Sequence, residues 1–185
     1  MQTQINRALT VLNNQKILLY ATDTIWGIGC DATNFEAVNK VYKLKKREET
    51  KSLIVLVNSF EMLQNYVKNF PLEIKSYLEK QTIPTTVIYN KSKNLPKNVI
   101  AKDNTIAIRI VNNGFVAELI NAFGKPIVST SANISGKETP LNFDEISNEI
   151  KEGVDFIVHH KDYKKEVKSS KIIRFVDNKI VILRD

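Results

Sequence analysis

The sequence predicts an α/β fold, a mixed sheet with flanking helices. Two observations predict it. Apolar runs of strand length alternate with segments of helical period along the whole chain, the pattern of strands and helices packed in layers. The chain also closes on two strand-like segments around Asp177-Asn178, a hairpin that makes the sheet mixed rather than purely parallel. The length of 185 residues, 43% apolar and 25% charged, fits one domain over 1–185 with a core that needs no covalent staple.

In chain order, Ile5, Ala8, Leu9 and Leu12 stand at helical spacing and predict a short amphipathic helix over 3–14. Lys16 to Ala21 is strand-sized. Thr33 and Glu36 have capping-box spacing and open a helix to about Arg47. Leu53 to Val57 reads as the next strand. Ser59 and Pro71 each begin a helical pattern, over 59–68 and 71–80. Ile83 to Tyr89 is a further strand. Thr105 to Val111 alternates Ile106, Ile108 and Ile110 with Arg109 on the opposite face. Gly114 to Phe123 is helical and Ile127 to Ser129 is a short strand. Residues 142–152 predict a charged helix, Phe156 to Val158 a strand, and His159 to Ser169 a basic, mobile loop without glycine. Ile172 to Val176 and Lys179 to Leu183 form the closing hairpin.

The totals exclude several classes. Cys30 is the single cysteine, so an intramolecular disulfide and a cysteine zinc cage are ruled out, and a reducing, cytoplasmic compartment is expected. No run has the length of a membrane span, and the N-terminus lacks a signal-peptide core. The net charge of +7 permits nucleotide or RNA partners without proving them.

Four stretches could carry chemistry. Ser129-Thr130-Ser131-Ala132-Asn133-Ile134-Ser135-Gly136 follows an apolar run and offers short donors and acceptors to phosphate or a small polar ligand. Its plain alternative is a polar turn. Lys45, Lys46, Arg47 and Lys51 gather cations at a helix end; dipole complementarity accounts for Lys45 and Lys46, and polyphosphate binding suits Arg47 and Lys51 better. Arg109 inside an apolar strand must line a cavity or polar face, with a carboxylate as its natural partner. Thr22-Asp23-Thr24 ends an early strand, where ligands collect in open α/β sheets. Gly27-Ile28-Gly29-Cys30-Asp31-Ala32 fits G-x-G-x-x-A, but the ribose-binding acid is missing after the next strand, so the glycines read as allowing close backbone approach. A P-loop motif is absent, and His159-His160 lacks companions for a metal cluster.

Taken together these motifs resemble one family. Tyr20-Ala21-Thr22-Asp23-Thr24-Ile25-Trp26-Gly27-Ile28-Gly29-Cys30-Asp31 resembles its Y-P-T-D-T-V-Y-G-L-G-C-D block. Lys45-Lys46-Arg47 with Lys51-Ser52-Leu53 resembles K-x-R-P…K-P-L, and Ala107-Ile108-Arg109-Ile110 resembles V-R-I-P. Lys125 to Gly136 resembles K-P-L-V-S-T-S-A-N-x-S-G nearly residue for residue. Ser170-Lys171-Ile172-Ile173 and Ile182-Leu183-Arg184 resemble S-T-I-V and I-L-R. This is the YrdC/TsaC family of L-threonylcarbamoyladenylate synthases. Ala21, Glu48, Ser52, Val111 and Lys171 depart from its pattern, as does Thr82-Ile83-Pro84-Thr85-Thr86 in place of P-G-P-x-T.

The resemblance implies a YrdC-like twisted, open sheet with a large basic cavity, and a nucleotidyltransferase that makes threonylcarbamoyl-AMP and pyrophosphate from L-threonine, bicarbonate and ATP. It implies Mg²⁺ carried with ATP, with no dedicated protein ligand. The product would pass to downstream threonylcarbamoyl-transferase proteins for N6-threonylcarbamoyladenosine formation at position 37 of tRNA. Thr24, Arg109, Ser129 and Ser170 match threonine-contacting positions. Arg47, Lys51, Thr105, Ser131, Thr139 and Arg184 match nucleotide-contacting positions, with Lys45, Lys46 and Asn133 as further motif residues. Ser129 and Ser131 are assigned to the two ligands on opposite sides of an extended segment. The chain is expected to lack the extra C-terminal domain of longer members. The alternatives are a non-catalytic RNA-binding module with the same basic cavity, and a carbamoyl-transferring domain of the hydrogenase-maturation kind.

Overall fold

The computed structural model describes residues 1–48, 53–68, 70–159, 169–176 and 179–185. In chain order the elements are α1 (Gln2–Asn13), β1 (Leu18–Ala21), β2 (Trp26–Asp31), α2 (Phe35–Lys45), β3 (Ile54–Val57), α3 (Phe60–Gln64), α4 (Leu72–Leu78) and β4 (Thr85–Asn90). There follow β5 (Thr105–Ile110), α5 (Gly114–Phe123), β6 (Ile127–Ser131), α6 (Asn148–Gly153), β7 (Phe156–Ile157), β8 (Lys171–Val176) and β9 (Lys179–Arg184).

The strands form a nine-stranded sheet in the order β7-β1-β2-β6-β3-β5-β4-β8-β9. It is mixed, as expected: β1–β7, β3–β5 and β4–β8 are parallel, and the other pairs are antiparallel. Alternation along the strands supplies two cores. Leu19, Ile28, Val55, Val57, Val87, Ile106 and Ile108 pack with Val38, Val41, Leu63, Ile74 and Ile150 from α2, α3, α4 and α6. On the opposite face Leu18, Tyr20, Leu56 and Ile127 pack with Ile5, Ala8, Leu12, Phe115 and Leu119 from α1 and α5.

Local chemistry corrects two boundaries. The N-cap of α2 is Asn34, whose side chain accepts from the Ala37 N–H. Thr33 instead donates to the buried Asp31 carboxylate at 2.6 Å, so the capping-box pattern sits one residue early. The charged helix expected over 142–152 is only α6. Upstream of it the Asn142 side-chain oxygen accepts from the N–H groups of Asp144 and Glu145, and Glu145 accepts from the Leu141 N–H. These side-chain bonds offer the backbone an alternative to helix. Strand β6 runs two residues past the predicted end, to Ser131. The loop expected after His159 lies almost wholly outside the described residues, as does the Asp177-Asn178 turn. Among the described residues no helix is long and apolar enough to cross a membrane.

The glycines of β2 permit close packing, as the sequence suggests. A Cβ on Gly29 would stand 2.6 Å from Tyr20 Cε1 and from the Val128 carbonyl oxygen. Both glycines lie inside the strand rather than at a strand-to-helix turn, so the dinucleotide fingerprint fails on geometry.

Candidate active site

Sheet register assembles the site. One row across the sheet reads Ile127–Leu56–Arg109–Thr86–Ile172–Arg184, and the next reads Gly29–Ser129–Ile54–Ala107–Ile88. Gly27 pairs with Ser131 in a third. These residues share the α1/α5 face of the sheet, on a strip where the side chains turn from aliphatic to short and polar. The result is a cavity of about 310 Å³, lined by Thr22, Thr24, Gly27, Arg47, Arg109, Ser129, Thr130, Ser131, Thr139, Ser169, Ser170 and Arg184 over an apolar floor that includes Leu56 and Ala107. That volume is at the small end for a ligand pocket, and the described residues do not show the large basic cavity that the resemblance implies. Among the described residues its charged lining is three arginines.

The predicted positions sort into three groups. Thr24, Arg109, Ser129, Ser170, Arg47, Ser131, Thr139 and Arg184 all line the cavity. Ser129 and Ser131 do so from the same side of β6, because residues two apart on a strand point the same way. The expectation that they face opposite sides is therefore corrected. Lys51 lies outside the described residues. Thr105, Lys45, Lys46 and Asn133 do not line the cavity. The Thr105 hydroxyl donates to Asp103 at 2.6 Å. Lys46 adopts the left-handed cap conformation of α2 and pairs with Glu149 at 2.6 Å on the surface.

Lys45 and Asn133 support the cavity from behind. Lys45 is 1% exposed. Its Nζ donates to the carbonyls of Ser131 and Asn133 and to Asn133 Oδ1, and its own carbonyl accepts from the Ser135 N–H. The polar stretch after β6 is thus pinned to the end of α2. Burial, with Arg47 as a lesser cause, lowers the Lys45 pKa to about 7.

The turn between β1 and β2 is locked by Thr22. Its Oγ1 accepts from the N–H groups of Thr24 and Ile25 and donates to the Ile25 carbonyl at 2.8 Å. This turn carries Asp23 to Arg109, whose Nη1 lies 3.0 Å from Asp23 Oδ1 and 3.1 Å from Oδ2. The carboxylate partner expected for Arg109 is thereby identified. At the far side Arg184 donates from Nε and Nη2 to the Ser170 carbonyl at 3.1 and 2.7 Å, and Ser170 Oγ shares a 2.8 Å bond with Thr86 Oγ1. Burial lowers the pKa of Arg47, Arg109 and Arg184 from the ordinary guanidinium value. Sequence reasoning gave no role to Thr86, whose hydroxyl meets Ser170. The period-two alternation of β4, which puts Thr86 on the same face as Ile88, was the available signal.

Guanidiniums and hydroxyls converging on one concave face bind oxyanions. No histidine or cysteine lines the cavity among the described residues, so its equipment suits positioning and charge neutralisation rather than a nucleophile–base pair.

Known proteins share this architecture. The family model Sua5_yciO_yrdC, described as telomere recombination, matches residues 10–185. A threonylcarbamoyl-AMP synthase of Pseudoalteromonas translucida is 33% identical over 160 residues, covering 85% of this chain and 86% of that protein. The crystal structure of P. abyssi Sua5 complexed with L-threonine superposes with a TM-score of 0.88 at 26% identity, over 97% of this chain. It covers 53% of the P. abyssi chain, so this chain spans about half that length. E. coli YciO matches in fold, with a TM-score of 0.84 at 22% identity, over 100% of this chain and 90% of that one. The chain belongs to the Sua5/YciO/YrdC family.

Proposed function

We propose that this protein is a threonylcarbamoyl-AMP synthase, joining L-threonine, bicarbonate and ATP into L-threonylcarbamoyladenylate with release of pyrophosphate. The single observation that carries the reading is one cavity holding Arg109, Ser129 and Ser170 together with Arg47, Ser131 and Arg184, in a chain whose relative is named for this activity. The structural relative complexed with L-threonine supports the amino-acid half of the reading.

In the proposed reaction the threonine amine and bicarbonate form a carbamate with loss of water. A carbamate oxygen then attacks the α-phosphorus, and the bond to the β-phosphate oxygen breaks to release pyrophosphate. This step needs alignment and charge stabilisation more than a covalent nucleophile. Arg109 would take the threonine carboxylate, with Thr24, Ser129 and Ser170 around the amino acid. Arg47 and Arg184 would neutralise phosphate charge, with Ser131 and Thr139 as hydroxyl donors; Lys51 would join them. Mg²⁺ would enter with ATP and supply further charge neutralisation. The hydroxyl and guanidinium lining fits a cation held by the phosphates rather than by a protein cage. The adenylate would then pass to a threonylcarbamoyl-transferase that modifies tRNA.

The test is pyrophosphate release with ATP and Mg²⁺, omitting threonine and bicarbonate in turn. Release that requires both supports the reading. Release indifferent to either substrate would overturn the reading, and no release at all beside RNA binding favours the non-catalytic module.

A further inference from the structure

The Arg109–Asp23 pair is asymmetric in a way that assigns its two members different tasks. Arg109 is 4% exposed and Asp23 is 32% exposed. Arg109 lines the cavity of about 310 Å³. Asp23 lines instead a neighbouring cavity of about 530 Å³, beside Glu79, Thr85 and Asn112. The ion pair is therefore a partition, with the guanidinium in front and the carboxylate behind. Both Asp23 oxygens are taken up by the same nitrogen, Nη1. That geometry commits one corner of the guanidinium and leaves the Nε and Nη2 donors for a forked contact with a ligand oxyanion.

We propose that Asp23 is a positioning residue, which fixes the Arg109 guanidinium so that its second edge faces the amino-acid carboxylate. The proposal rests on the reading that Arg109 takes the threonine carboxylate. Asp23 acts through Arg109 and touches no substrate. Its own placement is secured by Thr22, which ties the turn to the Ile25 carbonyl and to two backbone N–H groups. Thr24, next in the chain, lines the front cavity. One three-residue turn thus supplies a lock, an orienting anion and a lining hydroxyl. Burial works against the charge on Arg109, and Asp23 offsets it. A carboxylate reached by solvent from the rear cavity compensates the guanidinium without occupying the space in front of it.

The experiment is a set of calorimetric titrations of L-threonine and of ATP into the wild type, Asp23→Ala, Asp23→Asn, Arg109→Ala and Asp23→Ala/Arg109→Ala. Expected are about tenfold weaker threonine binding for Asp23→Ala, a smaller loss for Asp23→Asn, and unchanged ATP affinity in both. The double variant should bind threonine no more weakly than Arg109→Ala alone, because a residue that acts only through Arg109 has nothing left to orient. Wild-type threonine affinity in Asp23→Ala, multiplicative losses in the double variant, or ATP affinity falling in step would each overturn the proposal. If Arg109→Ala itself leaves threonine affinity unchanged, the threonine reading of Arg109 fails, and the proposal with it. Should Asp23→Ala not fold, Asp23→Asn, nearly the same shape on a turn, carries the same comparison.

Discussion

Lys45 shows how a single side chain can mean something different from its place in a motif. At the end of a helix it reads as a charge that complements the dipole. In the structure it is buried, and its ammonium bonds the polar stretch at Ser131 and Asn133. Nothing in local spacing connects residues 86 apart. The burial has a testable pH consequence. The Lys45 pKa is lowered from 10.5 to about 7. Between those values the unfolded chain holds a proton that the folded chain lacks, so unfolding takes up a proton and stability rises with pH. Denaturant unfolding of the wild type should show that rise from about pH 7 to below about pH 9, where the raised Cys30 thiol begins to oppose it, and Lys45→Met should flatten it. An unaltered slope in the variant would remove Lys45 as the cause. Arg47→Ala should weaken ATP binding about tenfold or more, the size of a lost charge-assisted hydrogen bond. Titration calorimetry reads this directly, and wild-type affinity would dismiss the phosphate role.

Among the elements, β2 depends most visibly on small residues. Gly29 leaves the Tyr20 ring and the Val128 carbonyl the space that a methyl would fill. Because one obstacle is backbone, Gly29→Ala should cost about 1–3 kcal/mol, measured as a lowered denaturation midpoint. An unchanged midpoint would show that the strands can move apart. Asn34→Ala should cost about 1 kcal/mol through the lost α2 cap, whereas the capping box read from the sequence points to Thr33. Strand and helix existence was legible because alternation and the 3.6-residue period are local properties. The short α6 was not, because Asn142 and Glu145 divert the backbone by side-chain bonds that resemble helix-start signals in sequence.

For the whole molecule, the site is a property of register. Arg109, Thr86 and Arg184 fall in one row only because β5, β4, β8 and β9 pair as they do. No single-chain pattern specifies that row. The resemblance of separated motifs brought most of these residues together before the structure did, and it could not supply the Asp23 contact geometry or the hydroxyl of Thr86. The same topology predicts a gradient of stability. Amides of β6, β3 and β5, flanked by strands on both sides, should exchange with solvent far more slowly than those of the edge strands β7 and β9. Uniform protection across the sheet in hydrogen exchange would contradict that ordering.

If one face of this sheet unites an amino acid, bicarbonate and a nucleotide, all three should meet in one product. The decisive experiment incubates the protein with ¹³C-bicarbonate, L-threonine, ATP and Mg²⁺ and identifies the products by mass spectrometry. A single adenylate that contains threonine and carries the bicarbonate label is expected. AMP and pyrophosphate without a labelled threonine-containing adenylate, in samples quenched quickly enough to preserve one, would contradict the synthase reading.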